Sequence, residues 1–501
     1  MVPGGSSDRI DLIPAFQPCA TPQLTCWRWV AIVAILLPAG SCAAAAVAPA
    51  RYVRFAEVRP ILTELAAALP PELAGLTEAQ LEAEWPAWIE RHDRAIRVRL
   101  EQGDEDTIVN WLLFGTSFTA QPRALMGAVE AGGAADQQAV LRRTVELISA
   151  RLDDLITALV TPGTDERRLF ARRFLEQQGF EFETAAGRQA ARDQLLGAIM
   201  RVGREQEQID QELGATSGGD SLVEFVQRSR LFRTRGLSLD TSLLPNYAIE
   251  QSLAAMKAQG LLKAGAVRRV AIVGPGLDFA DKDVGFDFYP QQTLQPFAVL
   301  DSLQRLGLVP ASGNHEIVLL DISPRVIDHV TSARARAAKE EGYTLRVPLA
   351  RTTEWVPEVR KYWEVFGDRI GAPAPAAVPK AISDQAEVRA VQATPAAVQR
   401  MSVVDLNIVT ERLDREAGEA FDLVIATNVF IYYDVLEQAL ALANIEAMLA
   451  PGAFLLANFA APQVRTLTIR PVDTQTTVYG KAQNGAESVL EFLVWYRARA
   501  N

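Results

Sequence analysis

Arg268-Arg269-Val270-Ala271-Ile272-Val273-Gly274-Pro275-Gly276-Leu277-Asp278 is the stretch whose reading decides the fold. Val270 to Val273 is an aliphatic run without polar alternation, the pattern of a strand covered on both faces, as in a parallel sheet. The run breaks at Gly274-Pro275-Gly276, where two residues lacking a Cβ let the backbone turn sharply and come close to a ligand. A tight turn of ordinary kind has the same composition, so the neighbouring stretches must choose between the two.

Ile317-Val318-Leu319-Leu320-Asp321 is a second buried-type strand, and it ends in a carboxylate. An acid at that strand tip can accept both hydroxyls of a ribose. It follows Gly276 by 45 residues, against about 20 in a dinucleotide-binding unit. Residues 279–290 therefore read as an insertion. Pyrophosphate binding also wants a third glycine three residues after Gly276, and Phe279 stands there.

Phe421-Asp422-Leu423-Val424-Ile425-Ala426 is a third strand, running into Thr427-Asn428-Val429-Phe430-Ile431-Tyr432-Tyr433-Asp434. A helix over 435–449 is expected to stop at Pro451-Gly452, with a fourth strand over 453–458. Beyond it, residues 463–470, a turn at Pro471-Val472-Asp473, and the alternating runs 476–479 and 488–496 suit a closing antiparallel hairpin.

In this order, the glycine loop, the acid after the second strand, Phe-Asp-Leu-Val-Ile and Leu-Ala-Pro-Gly-Ala resemble a class I S-adenosylmethionine-dependent methyltransferase domain. Asn428 to Asp434 and Asp321-Ile322-Ser323 are similar to the corresponding motifs of chemotaxis-receptor glutamate methyltransferases. The resemblance implies an α/β, Rossmann-like methyltransferase sheet with a C-terminal antiparallel hairpin and S-adenosyl-L-methionine as cofactor. It implies Gly274 and Gly276 at the amino-acid end, Asp278 as a candidate for the ammonium, Asp321 on the ribose, Asp405 or Asn407 near the adenine, and Asn428 and Val429 on the floor. Tyr432 and Tyr433 stand where a methyl acceptor would approach, and Tyr247 could close the cleft; packing is the alternative for all three. The implied reaction is methyl transfer to an oxygen or nitrogen nucleophile, small molecule or protein. The receptor substrate does not carry over, because the long amino-terminal half has no match in those enzymes.

That half, residues 52–240, shows helical periodicity and reads as an all-α domain in front of the sheet domain, 241–501. Thr77-Glu78-Ala79-Gln80 has the form of a capping box, and Trp111 to Phe118 reads as an apolar packing turn. His92 is expected on a solvated helix face. A second insertion, 341–399, holds a tryptophan-bearing helix over 353–366 and a Pro/Ala-rich stretch, 371–379, expected to be extended and mobile.

A net charge of −11 over 501 residues, with pI near 5.1, argues against nucleic-acid partners. Cys19, Cys26 and Cys42 all precede the folded chain, and His92, His315 and His329 are not spaced like a zinc site, so no metal is expected. Residues 29–50 carry no charge, and 1–51 reads as a signal-like leader or a membrane anchor. Export would separate the domain from a cytosolic methyl donor. An active enzyme therefore requires the cytoplasmic side of an anchor; the rival is an envelope-associated binding or scaffold protein that keeps the fold without its chemistry.

Overall fold

The computed structural model describes residues 49–124, 134–214, 237, 243–279, 286–351, 353–414, 419–462, 464–481 and 488–500. The leader up to residue 48, with its cysteines and its anchor or signal reading, lies outside these residues, as does all but Gly214 of the stretch 214–219, whose composition reads as a flexible break between helices. Among the described residues no helix is long and apolar enough to cross a membrane.

The first described strand is β1 (Ala50–Tyr52), which spans the expected boundary at 51/52. Helix α1 (Phe55–Glu64) follows, and then α2 (Glu78–Phe114), whose 37 residues start at Thr77, where the Thr77 and Gln80 side chains cap each other's backbone N–H groups. Next come α3 (Ala134–Val160), α4 (Glu166–Gln177) and α5 (Ala185–Gly214), then α6 (Leu244–Ala258) and β2 (Arg269–Val273). Helix α7 (Gln295–Arg305), β3 (Glu316–Asp321) and α8 (Pro324–Ala337) complete the first crossovers, each helix with proline in its first turn, where no N–H is needed.

The second insertion is more ordered than its composition suggests. Strand β4 (Tyr343–Ala350) is followed by β5 (Glu354–Trp355), α9 (Pro357–Val365), β6 (Gly371–Pro373) and β7 (Ala386–Ala393). β4, β7 and β6 pair antiparallel in one small sheet. The expected extended linker thus begins as a paired strand, because Gly371 to Pro373 find backbone partners on Val391 to Ala393. The expected helix over 353–366 gives its first residues to β5.

Helix α10 (Pro395–Gln399) leads into β8 (Met401–Asp405), β9 (Glu411–Leu413) and β10 (Phe421–Ala426). Helix α11 (Val435–Met448) is started by a reciprocal cap between Asp434 and Glu437. Strand β11 (Leu449–Ala457) begins ahead of Pro451-Gly452, which forms an irregularity in the pairing with β10 instead of a break before the strand. Finally β12 (Arg470–Lys481) and β13 (Ser488–Arg497) form the hairpin. Pro471 to Asp473 is a register shift within β12, not a turn, and residues 464–469 are not strand.

The main sheet has the order β5-β12-β13-β11-β10-β2-β3-β8. From β11 to β8 all neighbours are parallel, while β13 is antiparallel to β11 and to β12. This is an α/β, Rossmann-like fold in which the order reverses between β2 and β10, so a crevice opens at the carboxyl ends of those two strands.

The hydrophobic cores do not divide at residue 240. Phe55, Ile61, Trp85, Trp88, Ile96 and Leu100 share one core with Val270 to Val273 and the rest of the sheet. The end of α2, from Ile108 to Leu113, packs with α3, α4, α5 and Phe279 in a second core. The packing boundary therefore runs through α2. The Trp111 to Phe118 stretch belongs to that second core, and the Trp111 indole N–H donates to buried Asp287 at 2.6 Å. His92 is half-buried, stacked on Trp88 at 4.6 Å and 3.2 Å from Glu437, where a solvated face was expected.

Candidate functional site

A cavity lies at the switch point of the sheet, at the carboxyl ends of β2 and β10. Its floor is the stretch that decides the fold: Val273, Gly274, Pro275 and Gly276 after β2, with Leu320, Asp321 and Ile322 after β3. Thr427, Asn428, Val429, Tyr432 and Tyr433 after β10 form one side, and Leu406 and Ile408 after β8 another. Leu100 of α2, Leu237, Pro245 and Asn246 of α6, and Gln295 at the start of α7 close it above.

Gly274 sits at φ +62° and Gly276 at φ +68°, a region that side chains with a Cβ rarely adopt. A Cβ on Gly274 would also lie 2.9 Å from Val429 Cγ2. The Gly274 N–H donates to Leu320 O at 2.8 Å, which ties the turn to the tip of β3.

Asp321 is 5% exposed. The Ser323 N–H donates to its Oδ1 at 2.8 Å, while Oδ2 is buried and has no hydrogen-bonding partner among the described residues. Burial pushes its carboxyl up to about 6, against the pull of the backbone N–H groups of Ser323, Gly276 and Ile322, and the Asp405 charge adds to the rise. A buried acceptor without a donor is costly unless a ligand supplies one.

Asn428 has the left-handed φ of +59° and exchanges side-chain and backbone hydrogen bonds with Asn458 at 2.7 and 2.8 Å. This holds the loop after β10 against β11, so Val429, Tyr432 and Tyr433 face the cavity. The Arg99 guanidinium on α2 donates to Tyr432 O at 2.8 Å, and burial pushes the Tyr433 hydroxyl well above its ordinary range. Glu437, behind the loop, is held low: burial opposes its charge but is outweighed by the His92 ring 3.2 Å away and the Asp434 N–H.

Four expected site residues do not line the cavity. Asp278 is buried, receiving Tyr289 OH at 3.1 Å and Gln292 Nε2 at 2.8 Å, so it bonds to the chain that follows it and is no free anion for an ammonium. Tyr247 is 4% exposed and packs on Tyr362 and Tyr479, with ring centroids 5.4 and 6.2 Å away. Asp405 pairs with Arg97 at 2.7 Å, and Asn407 Nδ2 donates to Asp93 at 2.8 Å, both partners being on α2. Among the residues that sequence reasoning missed, Asn246 follows a first-turn proline, and Gln295 Nε2 donates to Thr427 Oγ1 at 2.9 Å. Only the first carried a sequence signal, Leu-Pro-Asn before a helical run. Among the described residues no cluster of His, Cys, Asp or Glu could hold a metal.

No protein-family model matches this sequence, and no curated protein matches it. Among solved structures the chain is similar to the N-methyltransferase NodS from Bradyrhizobium japonicum WM9, at 13% identity over 50% of this chain and 96% of that one, with a TM-score of 0.23. A TehB-like SAM-dependent methyltransferase from Corynebacterium glutamicum shares 14% over 51% and 98%, with a TM-score of 0.22. The glycopeptide N-methyltransferase MtfA complexed with (S)-adenosyl-L-methionine shares 10% over 51% and 94%, at 0.22. With TM-scores this low, the fold assignment rests on the strand order and the cleft of the chain itself.

Proposed function

We propose that the protein is an S-adenosylmethionine-dependent methyltransferase acting on an oxygen or nitrogen nucleophile of a small molecule or protein. The observation that carries this reading is Asp321: a nine-tenths-buried carboxylate with an oxygen unpartnered among the described residues, beside two left-handed glycines, in a cavity at the switch point. That pairing suits a ligand with a ribose, whose hydroxyls donate to Asp321, and with a small polar end that needs close approach to the Gly274–Gly276 backbone.

When bound, S-adenosylmethionine supplies a methyl group already activated on a sulfonium. The protein then has to align the acceptor and exclude water, without needing a strong base. Tyr432 and Tyr433 line the cavity, and we assign them the orienting of an acceptor; Leu100, Leu237 and Ile408 give that side an apolar lining. We also propose that the body works on the cytoplasmic side, attached or not by residues 29–50, since that is where the donor is. Calorimetry of the full chain with S-adenosylhomocysteine tests the reading: a saturable heat is expected, and none at millimolar ligand would overturn it.

A further inference from the structure

Asp93, Arg97, Leu100 and Asp104 on α2 are spaced by four, three and four residues, so they share one helix face. Each meets the carboxyl edge of the sheet. Asp93, 4% exposed, accepts from Asn407 Nδ2 at 2.8 Å and Thr410 Oγ1 at 3.1 Å. Arg97 pairs through Nε with Asp93 at 2.9 Å, through Nη1 with Asp405 at 2.7 Å and through Nη2 with Glu411 at 3.3 Å. Leu100 lines the cavity, and Asp104 pairs with Arg325, at the start of α8, at 2.5 Å. Three consecutive turns of one helix thus strap the ends of β8 and β3.

The centre of this strap is one guanidinium among three carboxylates. Glu411 Oε2 also accepts the Asn407 N–H at 2.8 Å, so the segment between Asp405 and Glu411 is gripped at both ends, and Leu406 and Ile408 between them face the cavity. We propose that Arg97 is the positioning residue of this wall: by holding Asp405 and Glu411 against α2 it withdraws Asp405 from ligand recognition and fixes Leu406 and Ile408 as the apolar surface on which a bound ring lies. The ligand side of this inference rests on reading the cavity as a nucleoside-type cofactor cleft; the hold on the wall does not. Removing the cation leaves Asp93, Asp405 and Glu411 facing one another uncompensated, and neutralising Asp405 relieves part of that repulsion.

The test combines backbone hydrogen exchange with calorimetry against S-adenosylhomocysteine on the full chain and on R97Q, D405N and R97Q/D405N. In R97Q, exchange over residues 405–411 is expected to rise about tenfold and affinity to fall about tenfold; R97Q/D405N recovers part of both; D405N alone stays within about twofold of the parent in affinity. Asp405 has a side chain 57% exposed, so D405N keeps its fold and decides the matter even where R97Q does not accumulate. A tenfold loss of affinity in D405N with parental exchange over 405–411 would show that Asp405 reads the ligand and would overturn the proposal, as would parental exchange over 405–411 in R97Q. Absence of binding by the parent protein would instead sink the cofactor reading, with the exchange measurement still deciding whether Arg97 fixes the wall.

Discussion

Asp321 and Asp405 end neighbouring parallel strands and stand opposite each other in register, yet they have opposite fates. Asp321 is buried, keeps one oxygen without a partner among the described residues and lines the cavity. Asp405 turns to the surface and is neutralised by an arginine from a helix more than 300 residues earlier in the chain. The same residue type at the same strand position lines the cavity in one case and forms a structural ion pair in the other. The difference lies in what packs above each strand end: glycine backbone over β3, and a charged helix face over β8.

The sharpest way to break this contrast is Asp321→Ala, which should weaken S-adenosylhomocysteine binding by roughly 1–3 kcal/mol, or about 5- to 150-fold, by calorimetry. Asp321→Asn should act on stability in the other direction. Because the folded-state pKa is raised, the group's favourable contribution is full below its ordinary value of 3.8 and is lost as pH rises to about 6. Removing the charge should therefore stabilise the unliganded protein by about 1–3 kcal/mol in urea unfolding at pH 8, with the advantage shrinking as pH falls from 6 towards 3.8. The same variant should bind ligand poorly, a pairing that no purely structural carboxylate would give.

For the parent protein the linkage predicts affinity that is flat above pH 6 and falls by up to about tenfold per unit below it, since hydroxyl donors need the ionised carboxylate. Affinity unchanged between pH 8 and pH 5 would detach Asp321 from the ligand. Gly274→Ala meets both a left-handed backbone and Val429 Cγ2 at 2.9 Å, and should cost about 1–2 kcal/mol of stability in chemical unfolding. The smallest effects separate the tyrosines. With a true acceptor, Tyr432→Phe or Tyr433→Phe should lower turnover several-fold, while Tyr247→Phe, packed on Tyr362 and Tyr479, should leave it unchanged. Equal turnover in all three would remove the tyrosine hydroxyls from the reaction.

Much of the fold was legible because its signals are local. The aliphatic runs of β2, β3 and β10 have a single period, glycine is required where φ is positive, and the Thr77 cap is written in a three-residue spacing. The ordered second insertion was not legible: Gly371 to Pro373 has the composition of a linker and becomes a strand only because β7 offers backbone partners. Asp278 and Asn407 were assigned from position in the motif order, and that order says nothing about Tyr289, Gln292 or Asp93, which take up their polar atoms.

The sequence alone determined a parallel sheet entered through a glycine turn, an acid at the tip of its second strand and an antiparallel close, since each follows from near-neighbour periodicity and backbone sterics. Only the tertiary structure decided which polar groups remain available at the cleft. Availability depends on long-range partners, such as Arg97 for Asp405 and none for Asp321 Oδ2 among the described residues. No local pattern encodes such a partner, because a hydrogen bond or ion pair between distant elements is fixed by how helices pack over strand ends.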